Sequence, residues 1–271
     1  MTWSEAVWLG VLQGLTEFLP ISSSAHQLIV SRLANWGDPG AAFTAVTQIG
    51  TETAVLLYFR HDLARLFRAF LGSIKHRNVS DDEQRTAWFI VIGSLPILVI
   101  GFLAKDVIEG GARNLWIVAS ALIIGALVLA YADARGTGHR SLQGLTVRLA
   151  LILGIGQSLA LIPGVSRSGA TISVALLLGF SRVASTRFSF LLAIPAVLVS
   201  GFYELRKIGE ESTAWGPTII ATAVSFAIGL AVIHWLLKYV ATHTFTPFVV
   251  YRLLLGFTVL GLLVTGTVTA V

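Results

Sequence analysis

The sequence contains no cysteine and has few charged residues. The absence of cysteine excludes disulfides, zinc–thiolate sites and cysteine nucleophiles. Aspartate, glutamate, lysine and arginine make up 12% of the 271 residues, whereas a soluble domain has about 25%. Too little polar surface is left to keep a chain of this size in water. With 55% hydrophobic residues and a mean hydropathy of +0.80, the composition indicates a protein that crosses a membrane several times.

The net charge is +5, which by itself would fit an acidic partner. In a membrane protein such a surplus is typical of basic loops on the cytoplasmic side. We therefore expect a chain surrounded by membrane lipid, with no nucleic acid as a partner. The sequence leaves the oligomeric state open, with a homodimer as one alternative.

Six apolar runs are long enough, or nearly so, to cross a hydrocarbon core of about 30 Å, which takes roughly 20 residues. Two further apolar regions, Trp3–Leu33 and Val147–Phe180, are interrupted by polar stretches at residues 20–24 and 163–169. Each region therefore yields two pieces that are too short to cross, as in a re-entrant helical hairpin. The six uninterrupted runs are Ala41–Phe59, Ala87–Ala104, Leu115–Tyr131, Phe188–Tyr203, Pro217–Leu237 and Phe248–Val268.

The two interrupted regions also indicate an internal duplication. Gly10–Gln13 resembles Gly154–Gln157 at an offset of 144 residues (157 − 13), and Pro20 aligns with Pro163 after one residue of slippage. Broken segments at matching places in two halves are typical of membrane proteins with inverted repeats and a site near the membrane midplane.

We therefore predict an all-α polytopic membrane protein with six full spans, two re-entrant hairpins and inverted-topology repeats. The whole chain would form a single membrane domain, with the repeats at about residues 1–135 and 145–271. Because each half has an odd number of spans, the two hairpins would enter from opposite faces. Their tips could then meet near the midplane.

Basic residues predict how the chain is oriented. The segment Arg60–Thr86 holds six lysines and arginines, whereas the loops of the opposite side hold Lys105 with Arg113, and Arg206 with Lys207. The positive-inside rule makes Arg60–Thr86 cytoplasmic, so that both termini lie outside.

The first interrupted region carries polar side chains that an apolar segment normally lacks. Gln13 and Glu17 are four residues apart, so they share one face of a helix. A carboxylate in such a segment is costly and normally faces a cavity or a partner. Ser22–Ser24, followed by His26 and an apolar run, predicts a capped helix start. The free amides of a helix N-terminus suit a phosphate.

The second interrupted region places Arg167 between two apolar stretches. Arginine keeps its charge in proteins, and its fork of donors matches phosphate oxygens. Ser166, Ser168 and Thr171 add hydroxyl groups, and neighbouring glycines allow a close approach of the backbone. This pattern predicts a site for a phosphate group.

Glu52 is the only charged residue in the run Ala41–Phe59. Gln48 and Glu52 repeat the spacing of Gln13 and Glu17, so they share a helix face. Because a carboxylate facing lipid costs about 2.5–3.5 kcal/mol on insertion scales, we expect Glu52 to face the interior. There it would hydrogen-bond a serine or threonine of the first interrupted region. A purely structural role and a supporting role beside the site, shared with Gln48, both remain open.

Both interrupted regions resemble the signature motifs of the undecaprenyl-diphosphate phosphatase family that is linked to bacitracin resistance. One signature, Glu/Gln-x-x-x-Glu, is matched by Gln13 and Glu17, and the other, Pro-Gly-x-Ser-Arg-Ser-x-x-Thr, by Pro163–Thr171. The similarity runs along nearly the whole chain and includes Phe188–Pro195 and the dipeptide Tyr251-Arg252. The second motif is long and specific, whereas the first is short.

The resemblance implies an enzyme of the bacterial cell (inner) membrane that hydrolyses undecaprenyl diphosphate to undecaprenyl phosphate and phosphate. This reaction recycles the lipid carrier of cell-wall synthesis. The resemblance also implies a divalent cation, Mg²⁺ or Ca²⁺, and roles for Glu17, His26, Arg167 and the neighbouring hydroxyls. Together with the predicted topology, it implies a site that opens to the outer face.

The residues themselves suggest how the chemistry is divided. Hydrolysis of a diphosphate requires neutralised charge, an aligned nucleophile and a protonated leaving group. Arg167 and the helix N-termini can neutralise charge, and Glu17 is the expected ligand of a hard cation. The nucleophile stays open between His26, Ser23 and water. The expected substrate-binding residues are Gln13, Ser22, Ser24, Ser166, Ser168 and Thr171.

A second class of function also fits the pattern. Inverted repeats and broken helices are typical of secondary transporters, so a transporter or flippase of an anionic lipid or a small anion is the alternative. A membrane phosphatase of the acid-phosphatase type is disfavoured, because its Pro-Ser-Gly-His signature is missing from the sequence.

Overall fold

The computed structural model describes residues 1–34, 36, 40–76, 81–104, 114–136, 138–207 and 215–270. Within these residues the chain forms eleven α-helices and two short 3₁₀ turns, and an isolated bridge between Arg140 and Phe180 is its only β pairing. The predicted all-α class is confirmed. The helices are α1 (Trp3–Thr16), α2 (Ser23–Leu33), α3 (Gly40–Tyr58), α4 (Arg60–His76), α5 (Asp82–Leu103), α6 (Leu115–Arg135), α7 (Val147–Ser158), α8 (Arg167–Leu177), α9 (Arg182–Lys207), α10 (Trp215–Tyr239) and α11 (Thr246–Val264).

Among the described residues, five helices are long and apolar enough to cross a membrane: α5, α6, the Arg182–Val199 part of α9, α10 and α11. They coincide with five of the six predicted runs. The sixth run forms α3, which carries Gln48, Glu52 and four threonines and is therefore less apolar. Several of these polar residues are buried inside the protein, including Thr47, Thr51 and Glu52.

Both interrupted regions break into two helices where the sequence predicts it. The first gives α1 and α2, the second gives α7 and α8, and each of these helices holds between 11 and 14 residues. At about 1.5 Å per residue they are roughly 16–21 Å long, which is less than a hydrocarbon core of about 30 Å. A proline lies in each break, Pro20 in the first and Pro163 in the second, where Gly164 follows it.

The basic segment that we expected to be a loop contains the helix α4. One face of this helix packs on the core through Leu63 and Leu66, and Phe70 contacts the ring of Trp88 in α5. The indole of Trp88 donates a hydrogen bond to the Ser73 hydroxyl at 2.9 Å. The sequence prediction missed this helix because its apolar residues recur at helical spacing among charges, which differs from the continuous run that marks a span.

Close helix contacts give the two halves of the protein the same packing arrangement. Helix α10 packs against α1 and α3, and α5 packs against α7 and α9. A Cβ added to Gly10 of α1 would lie 2.5 Å from the carbonyl oxygen of Ala221, and one added to Gly154 of α7 would lie 2.0 Å from that of Gly93. Only glycine allows helices to approach this closely. Helix α6 packs on α11 and also contacts both α2 and α8.

The outer faces of the long helices are apolar. In α11, Leu254 and Phe257 are 65% and 60% exposed, whereas Arg252 and Val259 on the opposite face are buried. A chain with apolar side chains outside and polar side chains inside is suited to a lipid surrounding. The protein is therefore a multi-pass membrane protein, as its composition predicts.

Candidate active site

Two helix N-termini, those of α2 and α8, define the site. Their N-cap residues are Ser22 and Ser166, which are the only non-glycine residues with positive φ in the described part of the chain, at 75° and 73°. Each serine hydroxyl caps its own helix, accepting from the amides of Ala25 and Gly169 respectively. The first amides of a helix have no partner within the helix, so each N-terminus can receive an anion.

A buried ion cluster links the two interrupted regions to α3. Nη2 of Arg167, the first residue of α8, donates to Oε1 of Glu17 at 2.7 Å and to Oε1 of Glu52 at 2.9 Å. The side chains of the arginine and the two glutamates are 16%, 7% and 8% exposed. One guanidinium group therefore joins residues that are 150 and 115 positions away in the sequence.

The second carboxylate oxygen of Glu17 accepts two further hydrogen bonds. Its donors are the hydroxyl of Ser23 at 2.6 Å and the amide of Gln13 at 3.0 Å. Gln13 is itself held by Gln27, whose amide donates to the Gln13 carbonyl oxygen at 2.7 Å. The structure thus confirms that Gln13 and Glu17 share one helix face, and it brings both to the N-terminus of α2.

The hydroxyl groups of the second motif mainly hold the backbone. The hydroxyl oxygens of Ser166 and Ser168 are 3.1 Å apart, and the Ser168 hydroxyl donates to the carbonyl of Leu19 in the other interrupted region. Thr171 is completely buried and donates to the carbonyl of Arg167 in its own helix. Ser24, by contrast, is exposed at the start of α2 and contacts the hydroxyl of Ser22.

His26 is buried, and both of its ring nitrogens are engaged. Nδ1 lies 2.6 Å from the carbonyl oxygen of Ser22, and Nε2 lies 2.6 Å from the hydroxyl of Tyr251 in α11. Because a carbonyl can only accept, we assign the hydrogen to Nδ1, so that Nε2 accepts from Tyr251. Within the described residues, no hydrogen bond joins His26 to Glu17, Ser23 or Arg167.

Glu52 lies in the interior, as predicted, but its partner differs from the expected one. Glu52 is 6% exposed, and its carboxylate pairs with Arg167, whereas we expected a serine or threonine as its partner. The prediction was wrong about the partner because Arg167 comes from the other half of the chain. Gln48 is half-buried, and no hydrogen bond joins its side chain to either carboxylate among the described residues.

Glu52→Gln tests whether this carboxylate supports catalysis. The substitution keeps the shape but removes a charge that steadies Arg167. We expect turnover to fall about tenfold, since hydrogen bonds to charged groups contribute about 1.5–3 kcal/mol and about 1.4 kcal/mol corresponds to a factor of ten. Thermal unfolding is measured in parallel and turnover is expressed per folded protein, so that a loss of stability is not counted as a loss of catalysis. Normal turnover in this variant would show that Glu52 has only a structural role.

A narrow cavity adjoins the ion cluster. The volume in which the centre of a water molecule can lie is about 10 Å³, which is roughly enough room for one water. Its polar lining consists of Glu17, Arg167, Ser168 and the buried Ser189 of α9, and its apolar lining of Phe18, Val55, Phe190 and Ala193. A diphosphate needs more room than this cavity offers.

The two carboxylates also form a donor set for a cation. Oε1 of Glu17 and Oε1 of Glu52 both lie within 2.9 Å of Nη2 of Arg167, so the guanidinium occupies the point on which they converge and a cation would have to share these oxygens with it. No cluster of three or more histidines, aspartates or glutamates occurs among the described residues. Two carboxylates completed by substrate phosphate oxygens are a donor set that Mg²⁺ commonly uses. Among the described residues, Glu17 and Glu52 are the neighbouring side chains whose oxygens suit a hard cation.

Sequence reasoning gave no role at the site to three polar neighbours, Gln27, Ser189 and Tyr251, although the last two lie in stretches that resemble the family. Gln27 holds Gln13, Ser189 lines the cavity, and Tyr251 holds His26. The available signal was the presence of polar side chains in segments that are otherwise apolar, where such residues normally face a partner. That signal identifies the residues but does not say which partner each one meets.

These features define a class of protein: a polytopic membrane protein whose ionisable groups gather between two broken helical segments. Sequence comparison assigns the family. The model of the bacitracin resistance protein BacA family matches residues 6–258, and the chain belongs to this family.

Curated relatives match over nearly their whole length. A protein named undecaprenyl-diphosphatase from Nocardioides sp. is 52% identical over 98% of this chain and 98% of its own. Undecaprenyl-diphosphatase 2 of Frankia casuarinae is 52% identical over 99% of this chain and 97% of its own. The undecaprenyl-diphosphatase of Pseudarthrobacter chlorophenolicus is 49% identical over the full length of both chains.

Proposed function

We propose that this chain is an undecaprenyl-diphosphatase, which hydrolyses undecaprenyl diphosphate to undecaprenyl phosphate and inorganic phosphate. The observation that supports this function is the group formed by Ser23, Glu17 and Arg167 between two helix N-termini. It combines a hydroxyl, a carboxylate that accepts its hydrogen, and a cation suited to phosphate. The names of the relatives agree with this chemistry.

Ser23 is our candidate nucleophile. Its oxygen attacks the terminal phosphorus, and its proton passes to Glu17, which lies 2.6 Å away. The bond from that phosphorus to the bridging oxygen breaks, and undecaprenyl phosphate leaves with the proton from Glu17. Water then hydrolyses the serine phosphate, which releases inorganic phosphate and restores Ser23. Arg167 and the helix amides hold the phosphate oxygens in both steps.

Acid-quenched enzyme distinguishes this route from its alternatives. Phosphoserine survives acid, whereas phosphohistidine is hydrolysed by it. We expect mass spectrometry to find phosphate on Ser23 after rapid mixing with substrate and quenching in acid. A phosphate on His26 that is found after an alkaline quench and lost after the acid quench would contradict the assignment. A wild-type rate in Ser23→Ala, with no phosphoenzyme detected, would instead indicate direct attack by water.

His26→Asn tests the role of the buried imidazole. In the sequence, His26 was a candidate for proton or phosphoryl transfer. Since both ring nitrogens are engaged, we propose that it holds the backbone of Ser22 beside the nucleophile. We expect turnover to fall about tenfold or more, as the loss of one well-placed hydrogen bond costs about 1–3 kcal/mol. Phosphoserine should still form. Wild-type turnover at every pH would leave His26 with a packing role alone.

A divalent cation, Mg²⁺ or Ca²⁺, would be held by Glu17 and Glu52 together with the substrate. When bound, it would neutralise phosphate charge beside Arg167. A chelator should abolish phosphate release from the purified protein, and the added cation should restore it. Tight binding of the cation in the absence of substrate would contradict a site that the substrate completes.

Phosphate release is the direct test of the function. Purified protein in detergent should release phosphate from undecaprenyl diphosphate. Movement of the lipid across a vesicle membrane without hydrolysis would support the transporter alternative instead.

We further propose that the chain has six spans and two re-entrant hairpins in a single domain of two inverted repeats, in the cell (inner) membrane. Three observations support the repeats: the positive φ of Ser22 and Ser166, their separation of 144 residues (166 − 22), and the matching helix contacts of the two halves. The basic helix α4 would then face the cytoplasm and the active site the outer face.

Cysteine labelling tests this orientation, because the chain has no native cysteine. Asn78, a natural labelling position in the basic segment, lies outside the described residues, so we choose the exposed Lys75 at the end of α4. Lys75→Cys in intact cells should resist a membrane-impermeant thiol reagent, whereas Ser4→Cys near the N-terminus should react. Labelling of Lys75→Cys alone would reverse the orientation.

A further inference from the structure

Arg252 of α11 is a fully buried cation that is bonded only to the backbone. Its side chain is 0% exposed, and no carboxylate pairs with it among the described residues. All three of its nitrogens donate to carbonyl oxygens, at distances between 3.0 and 3.2 Å. The five acceptors are the carbonyl groups of Pro20, Ala121, Leu122, Gly164 and Val165.

These contacts join the two breaks of the chain. Pro20 lies in the turn between α1 and α2, two residues before Ser22, whereas Gly164 and Val165 lie in the turn between α7 and α8, directly before Ser166. The other two acceptors belong to α6. A single guanidinium group therefore sets the distance between the two turns that carry the site, and it anchors both to α6.

Arg252 also sets the direction of one peptide group of the site. The Val165 carbonyl points to Nη2 at 3.0 Å. In a trans peptide the N–H of the next residue points the opposite way, so the Ser166 amide is turned away from Arg252. Ser166 has a φ of 73°, a conformation that persists only where its surroundings enforce it.

Burial of a charge without a counter-ion is costly unless hydrogen bonds satisfy it. Lysine could keep the charge, but an ammonium group has three donors and no planar fork. The arrangement therefore requires the shape of arginine as well as its charge.

We propose that Arg252 is a positioning residue, which holds the two turns in the relative arrangement that phosphate transfer requires. The proposal rests on the proposed function, because it concerns the geometry of the same site. Arg252 makes its hydrogen bonds to the backbone of the turns, so its effect on turnover passes through Ser22, Ser166 and their neighbours.

Two variants disturb these contacts in different ways. Arg252→Lys keeps the charge and removes the fork. Gly125→Ala keeps Arg252, but a Cβ at Gly125 would lie 2.2 Å from Nη2, so the guanidinium must move from its acceptors. Gly261→Ala in α11 is the matched control, because beyond its own helix backbone no described atom lies within 4 Å of its added Cβ.

Phosphate release is measured against substrate concentration, per folded protein after size-exclusion chromatography. We expect kcat to fall by about 10²-fold in Arg252→Lys and by about tenfold in Gly125→Ala, since small misplacements of catalytic groups cost rates of this order. KM should stay within about threefold, because loss of transition-state alignment acts mainly on kcat. Gly261→Ala should match the wild type.

The double variant gives the decisive measurement. If both changes act on the same guanidinium contacts, the double variant should have almost the same kcat as Arg252→Lys alone. Wild-type kcat in both single variants would overturn the proposal, and so would a loss that only follows the unfolded fraction. If Arg252→Lys does not fold, the proposal is tested by comparing the kcat of Gly125→Ala with that of Gly261→Ala. An inactive wild type would refute the proposed function instead, before any variant is compared.

Discussion

Arg167→Lys is expected to lower phosphate release by about 10²-fold or more, the range for a lost donor that stabilises transition-state charge. In the structure, Nη2 of Arg167 is shared by Glu17 and Glu52, while the rest of the guanidinium can meet phosphate oxygens in a planar, bidentate way. Lysine keeps the charge but concentrates it on one ammonium group. It cannot hold both carboxylates and the substrate in the same geometry.

The measurement is phosphate release from undecaprenyl diphosphate, with thermal unfolding as the check on folding. Arg187→Lys is the matched control. Arg187 also pairs with a carboxylate, that of Asp62, but lies outside the ion cluster and is 43% exposed. This control should retain activity. Full activity in Arg167→Lys would remove Arg167 from the site.

Glu17→Gln is expected to cost at least about 10²-fold in turnover, the low end for a lost acid–base or charge-stabilising group. The carboxylate accepts from Ser23, Gln13 and Arg167. An amide of the same shape keeps one acceptor oxygen but cannot take the serine proton. The substitution also removes one of the two negative charges, those of Glu17 and Glu52, that face Arg167 and any bound cation.

Turnover should therefore fall together with the apparent affinity for the cation, which a titration of the chelated protein with Mg²⁺ measures. Glu5→Gln provides the control on the same helix, since Glu5 only caps the N-terminus of α1 through Thr2. A Glu17→Gln variant that remained active with unchanged dependence on the cation would exclude both roles of Glu17.

Prediction from the sequence succeeded where the relevant signal is local. The two breaks follow from proline, glycine and serine within apolar stretches, and the N-cap of α2, Ser22, lies in the predicted helix start at Ser22–Ser24. The interior placement of Glu52 followed from the cost of a carboxylate in lipid. Its partner Arg167, 115 positions away, could not be predicted, because contacts of that range depend on how the two halves meet.

The roles of His26 and Tyr251 show the same limit. The sequence places His26 close to Glu17 and Ser23, which suggested a part in the chemistry. In the fold, the side chain of His26 turns toward α11 and meets the hydroxyl of Tyr251, 225 positions away. Ser23 and His26 are three residues apart on α2 and so lie on about the same face, but Ser23 meets Glu17 whereas His26 meets Tyr251. Nearness along the chain therefore does not give two side chains the same partner.

The sequence by itself determined the membrane class, the helical fold and the positions of both breaks, and it singled out Glu17 and Arg167 as candidate site residues. These properties depend on composition and on short patterns, since each apolar run or capped helix start is stabilised by its own residues and by the surrounding lipid. Only the tertiary structure decided that Glu17, Glu52 and Arg167 form one cluster and that Arg252 binds both turns. Such contacts join distant segments, so they arise only when the two halves pack together. Each buried charge then needs hydrogen-bond partners, and the packing determines which groups are close enough to serve.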